Sequence, residues 1–293
     1  MSTEEFFPAD FLTKIEHLAF IAKRINRGRS RGEHLTYRRG SSLEFYDYRE
    51  YQAGDDPRYI DWNIYERLGK LVTKMFSAEE DLTIHFLLDA SASMSFGSPS
   101  KLLYESRLCA ALSYIALAHL DRVGITWFTD VPKGTLPPVR RRDIFPILSF
   151  LSDIETGGET GFNRSLGEFA RTARIPGLAV VISDLLAPDG FREGLLSLVY
   201  RHWDIVLLHL IDRDEYDPGY RGDMRLIDAE TGRGMDLVVD RNVREMFSAE
   251  TARHIRGIER FCMDKRIEYV PVRTEEPFEK VILTYLKRGM HLH

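Results

Sequence analysis

The sequence predicts an α/β fold in which helices cover both faces of a mainly parallel β-sheet. From residue 82 onward, short apolar runs alternate with segments whose apolar residues recur at helical spacing. Neighbouring parallel strands need a crossover between them, and the intervening helices supply it. The chain has 293 residues, of which 44% are hydrophobic and 29% charged, so it can bury the core of one large α/β domain or two smaller ones.

Residues 9–26 predict an N-terminal helix, because their apolar side chains fall on one helical stripe. These side chains are Phe11, Ile15, Leu18, Ile21 and Ala22. A basic run at residues 23–39 follows, which we interpret as a solvated surface segment rather than a phosphate-binding patch. The net charge of −5 likewise does not favour nucleic acid as a partner.

The aromatic-rich residues 43–80 are predicted to form short strands on either side of a turn marked by Gly54 and Pro57. We therefore expect a helix and a β-rich extension over residues 1–78. The main α/β domain is expected over residues 79–293.

Strands and helices alternate along the main domain. Apolar runs predict strands at residues 82–89, 123–130, 177–184, 203–212 and 267–274. Amphipathic patterns predict helices at residues 101–120, 141–154, 162–174, 190–201, 241–264 and 277–289. The alternation stops over about 213–240, where two short strands around the sequence AETGRG predict an inserted β-hairpin.

The most informative motif is LLDASASMSFGS, residues 87–98. An apolar strand ends at Asp89, and Ser91 and Ser93 then alternate with alanines. Taken alone, the motif leaves three interpretations open: a nucleophile with its helpers, a metal site, or a turn that caps the helix beginning near residue 100.

Two further segments favour the metal site. Asp184 ends another apolar strand, and the loop TGGETGF before a helix carries Thr160, with Thr156 as a weaker candidate. Ligands of open parallel sheets bind beyond the carboxyl ends of the strands, so these groups should share one rim. The set contains only hard oxygen ligands, which suit Mg²⁺, or Mn²⁺ or Ca²⁺, and not zinc. Its members are Asp89, Ser91, Ser93, Thr160 and Asp184.

A metal-dependent hydrolase or phosphatase using the same rim is the alternative function. A serine hydrolase needs a nearby base and usually a G-x-S-x-G turn, which Ser91 and Ser93 lack. A phosphotransferase of the haloacid dehalogenase type would need an aspartate two residues after Asp89, where Ser91 stands. His85 and His209 lie within predicted strands, and no glycine-rich phosphate loop with its lysine is present. We therefore predict no catalytic residues and a chain that is not an enzyme.

The order D-x-S-x-S, then Thr, then Asp resembles the metal-ion-dependent adhesion site of von Willebrand factor A domains. The resemblance implies a von Willebrand factor A-like, Rossmann-like sheet. It also implies that Ser91, Ser93 and Thr160 coordinate Mg²⁺. Asp89 and Asp184 would then bind the metal directly or through water, and an acidic residue of a partner protein would complete the metal's shell.

The upstream residues 54–82, GDDPRYIDWNIYERLGKLVTKMFSAEEDL, followed by LLDASASM, resemble the signature of the domain of unknown function 58 family of bacterial and archaeal proteins. The sequence IDAETG in the hairpin is also similar, and the resemblance extends over about 35–289. Relatives are often encoded beside MoxR-type AAA+ ATPases. The resemblance therefore implies a non-catalytic adaptor or co-chaperone of such an ATPase.

The segment Gly54, Asp55, Arg58, Asp61 and Trp62 has two interpretations. It can form a second contact surface. Alternatively, its charged residues form a buried hydrogen-bonded knot that docks the N-terminal segment on the sheet, with Trp62 packed beneath, and we favour this knot.

The chain is expected to be cytoplasmic and without a membrane span. Cys109 and Cys262 fall among apolar neighbours in helical patterns, which predicts two buried thiols in a reducing compartment. The N-terminal sequence is acidic and interrupted by charges, unlike a signal peptide, and no apolar run approaches the ~20 residues that a bilayer span needs. Many relatives in the resembling family carry N-terminal membrane helices.

Overall fold

The computed structural model describes residues 6–29, 43–52, 54–78, 82–140, 143–227, 229 and 232–288. It contains two compact units. One is Arg27–Asp81, and the other combines Met1–Asn26 with Leu82–His293. The start of the N-terminal helix thus belongs with the sheet, whereas the sequence-based boundary at residue 78 groups it with the β-rich segment.

The elements follow the predicted alternation. The strands are β1 (Leu43–Glu50), β2 (Val72–Ala78), β3 (Thr83–Asp89), β4 (Arg122–Phe128), β5 (Pro132–Val139), β6 (Leu178–Ser183), β7 (Asp204–Ile211), β8 (Gly222–Ile227), β9 (Gly234–Val239) and β10 (Glu268–Arg273). The helices are α1 (Phe11–Arg29), α2 (Trp62–Leu68), α3 (Lys101–Ala118), α4 (Phe145–Ser152), α5 (Phe162–Thr172), α6 (Arg192–Tyr200), α7 (Arg213–Tyr216), α8 (Arg241–Lys265) and α9 (Phe278–Arg288).

The main sheet has six strands in the order β10-β7-β6-β3-β4-β5. Strands β10, β7, β6, β3 and β4 pair in parallel, and β5 pairs with β4 in the antiparallel direction. The predicted fold class, a mainly parallel sheet, is therefore confirmed. Strands β6 and β3 are neighbours, so the ends at which Asp89 and Asp184 lie are also neighbours.

Helices cover both faces of this sheet. Side chains alternate along β3, so that Phe86 and Leu88 join one apolar layer while Leu87 joins the other. The first layer contains residues of α1, α3, α4 and α9, and the second contains residues of α5, α6 and α8. Cys109 lies in the first layer and Cys262 in the second, and both are buried free thiols as predicted.

Strand β5 was not predicted, because its sequence PKGTLPPV contains three prolines. Proline cannot donate to a strand ladder, but an edge strand needs donors on one side only. The predicted hairpin is confirmed as the antiparallel pair β8–β9. Part of its tip, residues 228, 230 and 231, lies outside the described residues.

The unit Arg27–Asp81 contains the antiparallel pair β1–β2, which confirms the short strands predicted there, and helix α2. The predicted buried knot is wrong. Asp55 pairs with Arg49 on the surface, and the Arg58 side chain, which pairs with Asp56, is 81% exposed. Trp62 is 59% exposed, and of the predicted knot only Asp61 is buried. Charged residues next to a tight turn can form ion pairs with residues close in sequence and hydrogen bonds with solvent, so their sequence pattern does not require that they be buried.

Candidate metal centre

The turn after β3 brings Asp89 and the two serines together. The Ser91 backbone N–H donates to Asp89 Oδ1 at 3.0 Å, and the hydroxyl oxygens of Ser91 and Ser93 lie 3.1 Å apart. Helix α3 is capped by Ser100, whose Oγ accepts a hydrogen bond from the Leu103 N–H. Asp89 and the two serines therefore do not serve as the cap of this helix, which removes the simplest structural interpretation of the motif.

The loop that carries Thr160 lies against this turn. The Gly157 N–H donates to the carbonyl of Ala90 at 3.0 Å, and the Ala92 N–H donates to the carbonyl of Gly158 at 3.1 Å. Thr160 is buried, whereas Thr156 is half-buried. The structure therefore places the Thr160 loop beside the serines, as the sequence predicts.

Asp184 lies at the end of the adjacent strand β6 and is fixed by several contacts. Its Oδ1 accepts from the Leu186 N–H at 3.2 Å, and its backbone carbonyl accepts from His209 Nε2 at 3.0 Å. The preceding residue, Ser183, donates its hydroxyl proton to Asp89 Oδ2 at 2.7 Å and thus links the two strand ends. We refer to Asp89, Ser91, Ser93, Thr160 and Asp184 as the rim.

Two charged residues that were not predicted lie next to the rim: Lys101 contacts Asp184, and Glu215 contacts Lys101. The Lys101 ammonium is fully buried and lies 2.5 Å from Asp184 Oδ2 and 2.5 Å from Glu215 Oε1. Glu215 belongs to α7, where its other oxygen accepts from the Asp212 N–H at 2.8 Å. A signal for Lys101 was available, because it shares the helical stripe of the buried residues Glu105 and Leu108.

Acidic side chains outnumber basic ones in this cluster. Burial and then the neighbouring Asp184 carboxylate raise the pKa of Asp89 to about 7. Burial, Asp89 and Asp184 also raise the pKa of Glu105 well above its usual range, and neither Glu105 carboxyl oxygen has a hydrogen-bond partner among the described residues. Burial lowers the pKa of Lys101, but Asp184 and Glu215 outweigh it, and the net shift is upward.

His209 also reaches the rim, which the sequence analysis did not anticipate. Its Nδ1 accepts from the Tyr269 hydroxyl at 2.9 Å while its Nε2 donates to the Asp184 carbonyl. Burial lowers the pKa of His209 to about 4, so the ring is neutral near pH 7. With both ring nitrogens engaged, His209 positions Asp184 and is not free to act as a base.

The donor set fits a hard divalent cation. The hydroxyl oxygens of Ser91 and Ser93 lie together directly after Asp89, and hard divalent cations prefer such oxygen ligands. Lys101 and the Leu186 N–H already occupy both oxygens of Asp184, so Asp184 suits a water-mediated contact better than a direct one. In the described part of the chain, no group of three or more His, Cys, Asp or Glu side chains is placed to hold a metal ion.

The chain can now be compared with known proteins. The model of the family "Protein of unknown function DUF58" matches residues 47–257. The chain belongs to this family. One relative is the uncharacterized protein Rv1480 of Mycobacterium tuberculosis, which is 23% identical over 261 residues that cover 87% of this chain and 82% of the relative.

Two solved structures are similar over part of the chain. BatB from Bacteroides thetaiotaomicron aligns with 71% of this chain and 100% of its own at 17% identity and a TM-score of 0.44. The vWF domain of the type V pili tip protein Mfa5 from Porphyromonas gingivalis aligns with 36% of this chain and 38% of its own, at 15% identity and a TM-score of 0.28. At these TM-scores neither likeness supports a conclusion, and the fold class rests on the sheet topology.

Within the ranges that the structure describes, no helix has both the length and the apolarity to cross a bilayer.

Proposed function

We propose that this member of the DUF58 family is a non-catalytic protein-interaction module that binds Mg²⁺ at the rim. Ser91, Ser93 and Thr160 hold the metal, and Asp89 and Asp184 support it directly or through water. The bound cation supplies the positive charge to which a carboxylate of a partner coordinates. The observation that carries the proposal is the pair of serine hydroxyls, 3.1 Å apart, directly after the buried Asp89.

The surrounding residues keep the rim in place. Ser183 holds Asp89 through its hydroxyl, and His209 holds the backbone of Asp184. Because these contacts are buried and come from neighbouring strands, the carboxylates are fixed before a ligand arrives, which lowers the entropic cost of binding.

We further propose that the partner is a MoxR-type AAA+ ATPase, for which the chain acts as adaptor or co-chaperone in the cytoplasm. Membership in the DUF58 family supports this partner, through the association that the sequence resemblance implies. Two free, buried cysteines agree with a reducing compartment.

Calorimetric titration of Mg²⁺ and Mn²⁺ into the wild type and the Ser91→Ala/Ser93→Ala variant tests the metal site. We expect the wild type to bind and the variant to lose binding with an unchanged thermal transition. Ser95→Ala is a matched control, because Ser95 lies in the same turn but its hydroxyl donates to the Ala92 carbonyl. Equal binding by the double variant and the wild type would rule out the serines as ligands.

A pull-down with a MoxR-type ATPase of the same organism tests the partner. We expect capture in Mg²⁺, and loss of capture in EDTA and in the double serine variant. Capture that is the same in EDTA would mean that the ATPase does not bind through the rim.

A metal-dependent hydrolase or phosphatase is the second candidate, and the raised pKa of Asp89 is the observation that favours it. It predicts turnover of p-nitrophenyl phosphate in Mg²⁺ that Asp89→Asn abolishes. Turnover at the same rate in both proteins would exclude Asp89 as a catalytic group.

A further inference from the structure

Lys101 places a permanent positive charge inside a site that is otherwise suited to a cation. The side chain is fully buried at the first residue of α3, and its ammonium contacts two carboxylates from different parts of the chain, Asp184 and Glu215. Glu215 does not belong to the rim. Its second carboxyl oxygen accepts a hydrogen bond from the backbone N–H of Asp212, the residue before α7.

The formal charges show what Lys101 does to the rim. Asp184, Glu215 and Lys101 together carry one net negative charge, and without Lys101 the same place would carry two. A divalent cation beside Ser91 and Ser93 would interact with this net charge next to the buried residues Lys101 and Asp184, and charge–charge interactions are stronger at buried sites than in solvent. The ammonium therefore weakens the attraction of the rim for a metal ion.

We propose that Lys101 is a positioning residue that sets the affinity of the rim for its divalent cation through its charge. The proposal rests on the Mg²⁺ site proposed above and adds its regulation. By offsetting the charge of Asp184, Lys101 keeps the metal loosely held and leaves it more positive charge for a partner's carboxylate. Glu215 acts in the opposite direction, because it offsets the charge of Lys101.

A series of charge variants tests this inference, with dissociation constants for Mn²⁺ and Mg²⁺ measured by calorimetry. Lys101→Met removes one positive charge and is expected to tighten metal binding on the order of tenfold. Glu215→Gln removes one negative charge at nearly constant shape and is expected to weaken binding by a similar factor. Lys101→Met/Glu215→Gln restores the net charge and should bind with an affinity close to that of the wild type.

The thermal transition of each metal-free variant, and its shift on addition of Mn²⁺, provide a second readout. Lys101→Met should melt several degrees below the wild type but gain a larger shift from Mn²⁺, because the metal compensates the acids that have lost their ammonium partner. A purely structural role for Lys101 predicts instead that both single variants bind metal more weakly. If Lys101→Met does not fold, tighter or unchanged binding by Glu215→Gln overturns the inference by itself.

The outcomes separate this inference from the proposed function. Wild-type binding that depends on Ser91 and Ser93, together with equal affinities across the charge series, overturns the role of Lys101 and leaves the metal site standing. Absence of metal binding in the wild type and in every variant overturns both.

Discussion

Two lysine–aspartate ion pairs, one in each compact unit, differ in their exposure to solvent and in the number of hydrogen bonds around them. In the sheet unit, Lys101 lies 2.5 Å from Asp184 with side chains 0% and 1% exposed. In the unit Arg27–Asp81, Lys74 lies 3.0 Å from Asp61, and its side chain is 36% exposed. Asp61 also accepts hydrogen bonds from the Tyr48 hydroxyl and from two backbone N–H groups at the start of α2.

The difference lies in how completely the charges are satisfied. The Lys74 ammonium, with further help from the start of α2 and Tyr48, holds the pKa of Asp61 below its usual range. Around Lys101 the carboxyl groups outnumber the ammonium groups, Glu105 has no hydrogen-bond partner among the described residues, and the pKa values of Asp89 and Glu105 are raised. Buried charges with incomplete partners cost stability, and such costs are concentrated at binding sites.

The largest expected effect is the loss of stability on removing the Lys101 ammonium, and the matched comparison is removal of the Lys74 ammonium. Lys101→Met leaves Asp184 and Glu215 buried without their cation, so the free energy of unfolding in EDTA should fall by about 3–5 kcal/mol. Lys74→Met leaves Asp61 with three other donors, and the lysine that it removes is partly exposed, so it should have a much smaller effect. Urea unfolding of both variants measures the contrast, and equal losses would contradict the structure.

A second contrast concerns two glycines with positive φ, Gly97 at 95° beside the rim and Gly54 at 112° in the β-rich unit. A Cβ on Gly97 would lie 2.5 Å from Asp212 Oδ2. This oxygen already accepts a hydrogen bond from the Thr274 hydroxyl at 2.9 Å. Gly97→Ala should therefore cost about 2–3 kcal/mol, the sum of backbone strain and displacement of Asp212.

Gly54→Ala is the matched control, because no atom of the described residues, apart from the adjoining ones in the chain, lies within 4 Å of the added Cβ. It should show the backbone cost alone, about 1 kcal/mol. Thermal unfolding compares the two variants, and a larger loss for Gly54→Ala would mean that Asp212 is free to move away from Gly97.

The third contrast is in pH dependence. The pKa values of Asp89 and Glu105 are raised, so these two carboxyl groups bind more protons in the folded protein than in the unfolded chain. Their contribution to the free energy of unfolding therefore falls as the pH rises from about 4 to about 7. The pKa of Asp61 is lowered, so its contribution is complete above its unfolded value and is lost only as the pH falls below about 4.

Hydrogen exchange in EDTA, corrected for intrinsic rates, should therefore show α3 more protected at about pH 5 than at about pH 7.5. The Asn63 and Ile64 amides, which donate to Asp61, should not change. Glu105→Gln should flatten the dependence of α3, since an amide does not ionise. Protection of α3 that increases with pH would show that Asp89 and Glu105 are ionised in the folded protein.

The smallest expected effect is that of Arg58→Ala. The side chain is 81% exposed and pairs with Asp56 two residues away, so neither urea unfolding nor Mg²⁺ titration should change measurably. A clear loss of stability would support the buried knot that the sequence predicted.

The sequence by itself predicted the alternation of strands and helices in the main domain, apart from β5 and α7, and it named the five residues of the rim. Apolar runs of strand length located the ends of β3 and β6, and an open parallel sheet directs those ends to one side. Asp184 lies beside Asp89 for this reason, whereas Asp89, Ser91 and Ser93 are held together by one turn, with the Thr160 loop beside them. These inferences needed only the short-range periodicity that backbone geometry imposes on strands and helices.

The tertiary structure alone decided what surrounds the rim. Lys101 meets Asp184 across 83 positions and Glu215 across 114, and Ser183 meets Asp89 across 94. Periodicity shows that Lys101 and Glu105 share the apolar stripe of α3, but not which strands that stripe will meet. Strand order is set by packing of the whole sheet, and that packing decides that the buried Lys101 ammonium meets Asp184 and Glu215.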